Sequence, residues 1–171
     1  ATGLLIVCTG RMTKQIDNFQ AQEKGYTGTF LLGQSTPSYD IECEPDAFFP
    51  TDGITVEMME EARKQFIGEI LQRPPKFSAI KINGKRAFDY ARSDKEIEMK
   101  ERLVTIEDFK LDYSEFPKIN FEVKCSKGTY IRSLAHDFGK ALGNGACLIS
   151  LRRTKIGDFD VASARDLFEL R

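Results

Sequence analysis

The chain has 171 residues, enough to bury one hydrophobic core, so its length predicts one domain over residues 1–171. Its composition, 41% apolar and 30% charged, is typical of globular proteins, and its apolar runs are shorter than a membrane span requires. The formal net charge of -1 indicates no polyanion partner for the molecule as a whole. Four cysteines without a Cys-x-x-Cys pair argue against a zinc cage and a disulfide framework, so we expect reduced thiols in the cytoplasm.

The first half of the chain is predicted to alternate short elements with one long loop. The predicted elements are a short strand or helix start, a helix, a strand and a surface loop, over residues 4–8, 13–22, 24–33 and 34–53. Thr55 then begins a helix as its N-cap, because Met58, Ala62 and Phe66 follow at helical spacing. We expect these three side chains to form the buried face of that helix.

The second half is predicted to contain mostly antiparallel strands. The predicted strands cover residues 77–82, 103–113, 119–125 and 147–156, and the predicted helices cover residues 86–92, 130–142 and 163–170. Asn83-Gly84 predicts a turn, and Ile131, Leu134 and Phe138 lie on one face of the helix over residues 130–142. This order predicts an α+β fold whose mixed, mostly antiparallel sheet is flanked by helices.

Basic residues are concentrated near the end of the chain. Between residues 124 and 157 seven basic residues stand against one acid, Asp137. A basic stripe on one face would suit a nucleic acid, whereas basic residues on several faces would be an ordinary solvated surface. Charge alone leaves both interpretations open.

One segment combines features that suit a binding site. In Lys127-Gly128-Thr129-Tyr130-Ile131-Arg132 a glycine turn leads from a strand into a helix. Such a helix start, beside two cations, could bind a phosphate or a carboxylate of the protein, or it could be an ordinary turn. Tyr26 could likewise stack on a base or pack on the core. His136, the single histidine, is best interpreted as a helix-face residue, and no motif indicates a metal or a cofactor.

Five segments in order resemble the TruB family of tRNA pseudouridine synthases over nearly the whole chain. They are Ala-Thr-Gly-Leu-Leu at residues 1–5, Lys24-Gly25-Tyr26 with Thr36-x-x-x-Asp40, Gln72 to Lys81, Cys125 to Arg132, and Leu142-Gly143 through Leu151-Arg152-Arg153-Thr154. The resemblance implies the pseudouridine synthase fold and isomerisation of the uridine at position 55, in the T-loop of tRNA, without metal or cofactor. Because that base lies inside a folded loop, such an enzyme has to flip it out.

The resemblance also assigns roles to residues. Tyr26 would stack on the flipped uracil and help to remove the C5 proton, Tyr130 would line the pocket, and Leu151 would pack against the base. Arg132 would pair with the nucleophilic aspartate and hold it ionised. The cations expected to contact RNA are Lys127, Arg152 and Arg153.

The nucleophilic aspartate of the family is expected three residues before Ala1, so the resemblance implies that residues are missing upstream. Asp40 and the other aspartates do not lie in the family's nucleophile motif. The expected partner is the T-arm of tRNA, with no obligatory protein partner, and no appended C-terminal RNA-binding domain is recognised. Two other hypotheses are a non-catalytic RNA-binding module of the same fold and a plain α+β interaction domain.

Overall fold

A computed structural model of the chain describes residues 1–78, 81–82, 85–87, 99–166 and 169. The helices are α1 (Ile16–Ala21), α2 (Val56–Lys64) and α3 (Ile131–Ala141), with 3-10 turns at Gly10–Gln15 and Val161–Ser163. The strands are β1 (Thr2–Gly3), β2 (Lys24–Leu32), β3 (Gln34–Ser35), β4 (Ala47–Phe48), β5 (Gly68–Gln72), β6 (Lys81–Ile82), β7 (Lys85–Arg86), β8 (Arg102–Asp112), β9 (Lys118–Cys125), β10 (Ala146–Ile156) and β11 (Phe159–Asp160).

A seven-stranded sheet organises the fold. Six strands follow the order β1-β10-β2-β9-β8-β5, and β11 pairs with β10. β1 runs parallel to β10, while all the other pairings in this sheet are antiparallel. The prediction of an α+β fold with a mixed, mostly antiparallel sheet flanked by helices is therefore confirmed.

The core lies between one face of this sheet and helices α2 and α3. Alternate residues of β2 and β9 point to this face, including the fully buried Phe30 and Ile119, which are register partners. Phe138 of α3 packs on it, with its ring centroid 6.0 Å from that of Phe30 and 6.3 Å from that of Phe109. Burying each such side chain contributes about 1.5–3 kcal/mol, so this aromatic cluster anchors α3 to the sheet.

Helix α2 begins as predicted but buries a different face. The Thr55 side chain accepts a hydrogen bond from the Met58 amide, as an N-cap should. Met58 is nevertheless 42% exposed, whereas Met59 is 1% exposed and packs in the core beside Ala62. The prediction that Met58 is buried was wrong, because both methionines fit a helical period with Ala62 and only packing against the sheet selects between them.

Several predicted boundaries were also wrong. The loop over residues 34–53 contains a two-stranded ribbon of β3 and β4, and residues 4–8 form neither helix nor strand. Strand β5 was not predicted, and residues 76–78 form a bend rather than the start of a strand. The helix predicted over residues 163–170 is absent at residues 164–166. The Asn83-Gly84 turn, most of the helix over residues 86–92 and most of residues 167–171 lie outside the described residues.

The remaining long elements match their predictions closely. These are β2, β8, β9, β10 and α3, each within about one residue of the predicted bounds at most ends. Among the described residues no helix is long and apolar enough to cross a membrane. The one-domain organisation stays a prediction, although the core draws residues from both halves, from Phe30 to Leu148.

Candidate active site

Helix α3 begins at the edge of the core and directs Arg132 toward a cavity. Gly128 adopts a φ of +79°, a conformation that favours glycine, in the turn that leads from β9 into the helix. The buried Gln72 side chain then pairs with the backbone of Tyr130: its Oε1 accepts from the Tyr130 amide at 2.7 Å, and its Nε2 donates to the Tyr130 carbonyl at 3.1 Å. The amide at the helix start is therefore used within the protein, which fixes where α3 begins.

The Arg132 guanidinium contacts three oxygen atoms of the protein. Nη1 lies 3.2 Å from Oδ2 of Asp40 and 3.4 Å from the Ser38 carbonyl, and Nη2 donates to the Phe77 carbonyl at 2.8 Å. The side chains of Arg132 and Asp40 are 22% and 14% exposed, so water screens this ion pair little. Among the described residues, the carboxylate that contacts Arg132 is that of Asp40. The sequence predicts no role in the site for this residue.

Asp40 is itself fixed by its own loop. Its Oδ1 accepts hydrogen bonds from the Ser38 hydroxyl at 2.6 Å and from the Glu42 amide at 3.0 Å. Its carbonyl accepts from the Thr36 hydroxyl at 2.7 Å, and its backbone forms a parallel bridge to Leu148. Because both carboxylate oxygens are engaged, Asp40 suits the role of a fixed counter-ion for Arg132 better than that of a nucleophile.

The cavity in front of Arg132 lies between this loop and residues 148–152 of β10. It has a volume of about 720 Å³ and is lined by Arg132, Asp40, Leu151 and Arg152, together with Thr2 at the start of the chain. β1 brings the start of the chain here, because Thr2 pairs with Arg152. This volume is within the range of small-molecule sites, roughly 300–1,000 Å³, and is large enough for a nucleotide base with its sugar.

A glycine in β2 allows the strands beside the cavity to approach closely. Gly28 is the register partner of Leu151, and a Cβ atom at this position would lie 2.3 Å from the Ser150 carbonyl oxygen. It would also contact the Phe121 ring at 2.8 Å. Only glycine fits here without a shift of backbone, and the register of Leu151 depends on it.

Tyr26 lies on the same face of β2 as Gly28, two register pairs further along, opposite Arg153. Burial raises the pKa of the Tyr26 hydroxyl, the Cys125 thiol raises it further, and the charge and hydrogen bond of Arg153 oppose both effects. The hydroxyl is therefore protonated near neutral pH. Arg153 is also engaged locally, since its Nε donates to the Leu4 carbonyl at 2.8 Å.

The structure brings together some of the predicted site residues and separates others. Arg132, Leu151 and Arg152 line the cavity, whereas Tyr26, Tyr130, Lys127 and Arg153 are not among its lining residues. Lys127 lies in a different groove beside Asp17 and Arg102.

The basic segment does not form one continuous stripe. Lys124 pairs with Glu23 and with Glu107, both at 2.8 Å, so its charge is neutralised within the protein. Among the described residues no three His, Cys, Asp or Glu side chains are grouped as a metal site.

Two residues of the site were missed by sequence reasoning, although both lie in segments that carry the resemblance. Asp40 ends the motif Thr36-x-x-x-Asp40, and Gln72 begins the motif at residues 72–81. Their partners are 92 and 58 positions away in the chain, at Arg132 and Tyr130. Spacing along the sequence cannot reveal such pairs.

Asp137, the one acid of the basic segment, is half-buried on α3. Its pKa is raised to about 6, mainly by burial, with Lys140 and Arg73 opposing and Glu101 contributing. The folded state therefore holds a proton that the unfolded state releases near pH 4, so this group lowers stability as pH rises from about 4 to about 6.

Asp137→Asn is expected to raise the free energy of unfolding at pH 7.5 by about 1 kcal/mol, a figure reduced for partial solvent screening. At pH 3.5 the gain should fall to about 0.2 kcal/mol or less, because the carboxyl is then mostly neutral in both states. Urea unfolding at the two pH values measures the difference, with exposed Asp158→Asn as the matched control. An equal gain at both pH values would contradict the assignment of the effect to the buried charge.

Comparison with known proteins identifies the family of the chain. Residues 1–131 match the family model described as TruB family pseudouridylate synthase (N terminal domain), and residues 132–171 match tRNA pseudouridylate synthase B C-terminal domain. A tRNA pseudouridine synthase B from Flavobacterium johnsoniae is 54% identical over 98% of this chain and 73% of its own length. The protein of the same name from Bacteroides fragilis is 50% identical over 97% of this chain and 71% of its own length.

Solved structures share the fold. A chain of a Cbf5-Nop10-Gar1 complex superposes with a TM-score of 0.56 and 25% identity over 84% of this chain. A chain of an H/ACA RNP bound to a substrate RNA containing 2'-deoxyuridine superposes with a TM-score of 0.57 at 24% identity over 86% of this chain. The matched regions span about a third of each of these longer chains, 33% and 32%.

Proposed function

The chain belongs to the TruB family of pseudouridylate synthases, and from this premise we propose that it isomerises the T-loop uridine at position 55 of tRNA to pseudouridine. The observation that carries the proposal is the cavity of about 720 Å³ in which Arg132 and Leu151 meet the start of the chain. A charged group and an apolar side chain that line the same base-sized cavity suit a flipped-out uridine.

The position of the chain start supports an upstream nucleophile. Ala1 and Thr2 line the cavity, so an aspartate three residues before Ala1, where the family motif would place it, would be within about 10 Å of the cavity even on an extended chain. The known contacts of Arg132 use Nη1 and Nη2, and a guanidinium carries five N–H donors. Donors are thus left for a second carboxylate, which Arg132 would hold ionised and oriented.

The other proposed roles are those that the family resemblance implies, and among these residues Leu151 and Arg152 line the cavity. Leu151 packs against the uracil from β10, and Tyr26 and Tyr130 approach the base once RNA is bound. Arg152 is exposed at the cavity rim and is placed to contact a phosphate, whereas Arg153 and Lys127 would have to contact RNA beyond the cavity.

The reaction is an isomerisation, so atoms balance without a cofactor. The aspartate carboxylate forms a bond to C1′ of the ribose as the bond from C1′ to N1 breaks, the base turns, and C5 then bonds to C1′ and displaces the carboxylate. C5 then loses its proton to solvent, directly or through Tyr26, and N1 gains one. We place this reaction in the cytoplasm, with tRNA as the partner and no obligatory protein partner.

Tritium release from a T-arm stem-loop labelled at uridine C5 tests this function. The complete gene product, with the residues upstream of Ala1, is expected to release one tritium per RNA, and Asp→Asn at the upstream position is expected to release none. Tight RNA binding without tritium release would favour the non-catalytic RNA-binding module instead. Absence of both binding and release at low salt would favour a plain interaction domain.

Tyr26→Phe is expected to lower the single-turnover rate about 10²-fold while the dissociation constant for RNA stays within about twofold, because the ring remains and only the hydroxyl is lost. Rapid-quench tritium release and filter binding measure the two quantities. Tyr113→Phe is the matched control, since the Tyr113 hydroxyl donates to Glu60 and does not line the cavity. Full activity of Tyr26→Phe would remove the hydroxyl from the mechanism.

A further inference from the structure

The loop that carries Asp40 contacts helix α3 at two points, one helical turn apart. Asp40 pairs with Arg132, and the neighbouring Tyr39 stacks on His136. Arg132 and His136 are four residues apart, so they lie on the same face of α3, one above the other. The ion pair is therefore accompanied by a second, uncharged contact between the same two segments.

The second contact is a parallel ring stack. The ring centroids of Tyr39 and His136 are 3.9 Å apart and the ring planes are inclined by 16°. Aromatic pairs of this kind shift a conformational equilibrium by about 2- to 10-fold beyond the area they bury. Both rings are half-buried, so the stack is shielded from water on part of its surface.

The backbone of Tyr39 requires such a restraint. Tyr39 has a φ of 65°, and it is the one non-glycine residue with positive φ in the part of the chain that the structure describes. A bulky side chain rarely adopts this conformation, so the loop would relax unless tertiary contacts held it. The stack is the side-chain contact to another element, and the backbone is also held by two hydrogen bonds: the Tyr39 amide donates to the Thr36 carbonyl at 3.1 Å, and the Tyr39 carbonyl accepts from the Leu148 amide at 2.9 Å.

Burial, more than the surrounding charges, favours the neutral form of both rings. Burial lowers the pKa of His136 and Lys140 lowers it further, while Asp46 opposes them. Burial raises the pKa of the Tyr39 hydroxyl, with Asp137 and Asp46 contributing and Arg73 opposing. Two neutral rings can stack without a desolvated charge between them.

We propose that Tyr39 and His136 are positioning residues for Arg132: their stack holds the loop in the one conformation in which Asp40 orients the Arg132 guanidinium toward the cavity. Without the stack, relaxation of the strained residue next to Asp40 would displace its carboxylate. The effect on catalysis rests on the proposed function, whereas the effect on Arg132 does not.

His136→Ala in the complete gene product tests the proposal in two ways. The ¹⁵N signals of the Arg132 guanidinium report its restraint, and we expect His136→Ala to lose the separate Nη signals that a fixed ion pair produces. The single-turnover rate of tritium release should fall about 5-fold, with RNA affinity unchanged. His136→Phe, which keeps a ring, should restore both, and Lys140→Ala on the exposed side of α3 should change neither.

His136→Ala in an Asp40→Asn background shows whether His136 acts on Arg132 through Asp40. If His136 acts through Asp40, His136→Ala should cost little there, whereas an independent structural role would cost the same 5-fold in both backgrounds and would overturn the proposal. Unchanged Arg132 signals in His136→Ala would overturn it as well.

If the alanine variant does not fold, His136→Leu fills the space without a ring and takes its place. A parent protein that releases no tritium would refute the proposed function, and the Arg132 signals alone would then decide on the positioning role.

Discussion

Arg132→Ala is expected to lower the single-turnover rate of tritium release about 10³-fold, the effect of removing a preorganised charged donor from an active site. The substitution removes the cation placed to hold the nucleophile ionised. It also leaves Asp40 as a carboxylate that is 14% exposed and has lost its counter-ion. The dissociation constant for RNA should change less than about tenfold, because Arg132 lies inside the cavity rather than at its rim.

Arg152→Ala provides the matched contrast for Arg132→Ala. Arg152 is exposed where it lines the cavity, so its loss should weaken RNA binding and reduce the salt dependence of binding by about one unit of slope. Its rate at saturating RNA should stay close to that of the parent. Equal losses of binding and turnover in Arg132→Ala would refute a specific role in catalysis.

Gln72→Leu is expected to lower the free energy of unfolding by about 2 kcal/mol, because it leaves the half-buried Tyr130 amide without a partner and removes one of the two hydrogen bonds that the Tyr130 carbonyl accepts, the other coming from the Leu134 amide. The leucine fills much of the glutamine volume, so the cost arises from the two hydrogen bonds rather than from a cavity. The start of α3 should then shift, and because Arg132 is two residues further on, turnover should fall as well.

Gln65→Leu controls for the change in side-chain chemistry. Gln65 is exposed at the end of α2, so its replacement should change the free energy of unfolding by less than about 0.5 kcal/mol. Urea unfolding measures both variants. If Gln72→Leu were as stable as the control, the Gln72 side chain would not determine where α3 begins.

The two variants separate the orientation of Arg132 from the formation of its helix. Arg132→Ala should keep α3 intact, since alanine favours helices, and lose the charge. Gln72→Leu should keep the charge and disturb the helix start. For Arg132→Ala we expect the loss of turnover, expressed as a free energy, to exceed the loss of stability. For Gln72→Leu we expect turnover and stability to fall together.

Part of the site could be recognised in the sequence. Arg132, Tyr130 and Leu151 were named from motifs that resemble a known family, and the structure places Arg132 and Leu151 in one cavity. The roles of Tyr26, Tyr130, Lys127 and Arg153 stay predictions. Basic composition was a weaker guide, because Lys124 is neutralised by Glu23 and Glu107 on neighbouring strands.

The sequence by itself determined the long elements and the class of the fold. Alternation of period two predicted β2, β8 and β9, and helical spacing predicted α3, because these patterns depend on neighbours within a few residues. Only the tertiary structure decided that Met59 rather than Met58 is buried, that Asp40 pairs with Arg132, and that Tyr39 stacks on His136. Each of these contacts depends on strand register and helix packing, which join residues far apart in the chain and leave no periodic signal in it.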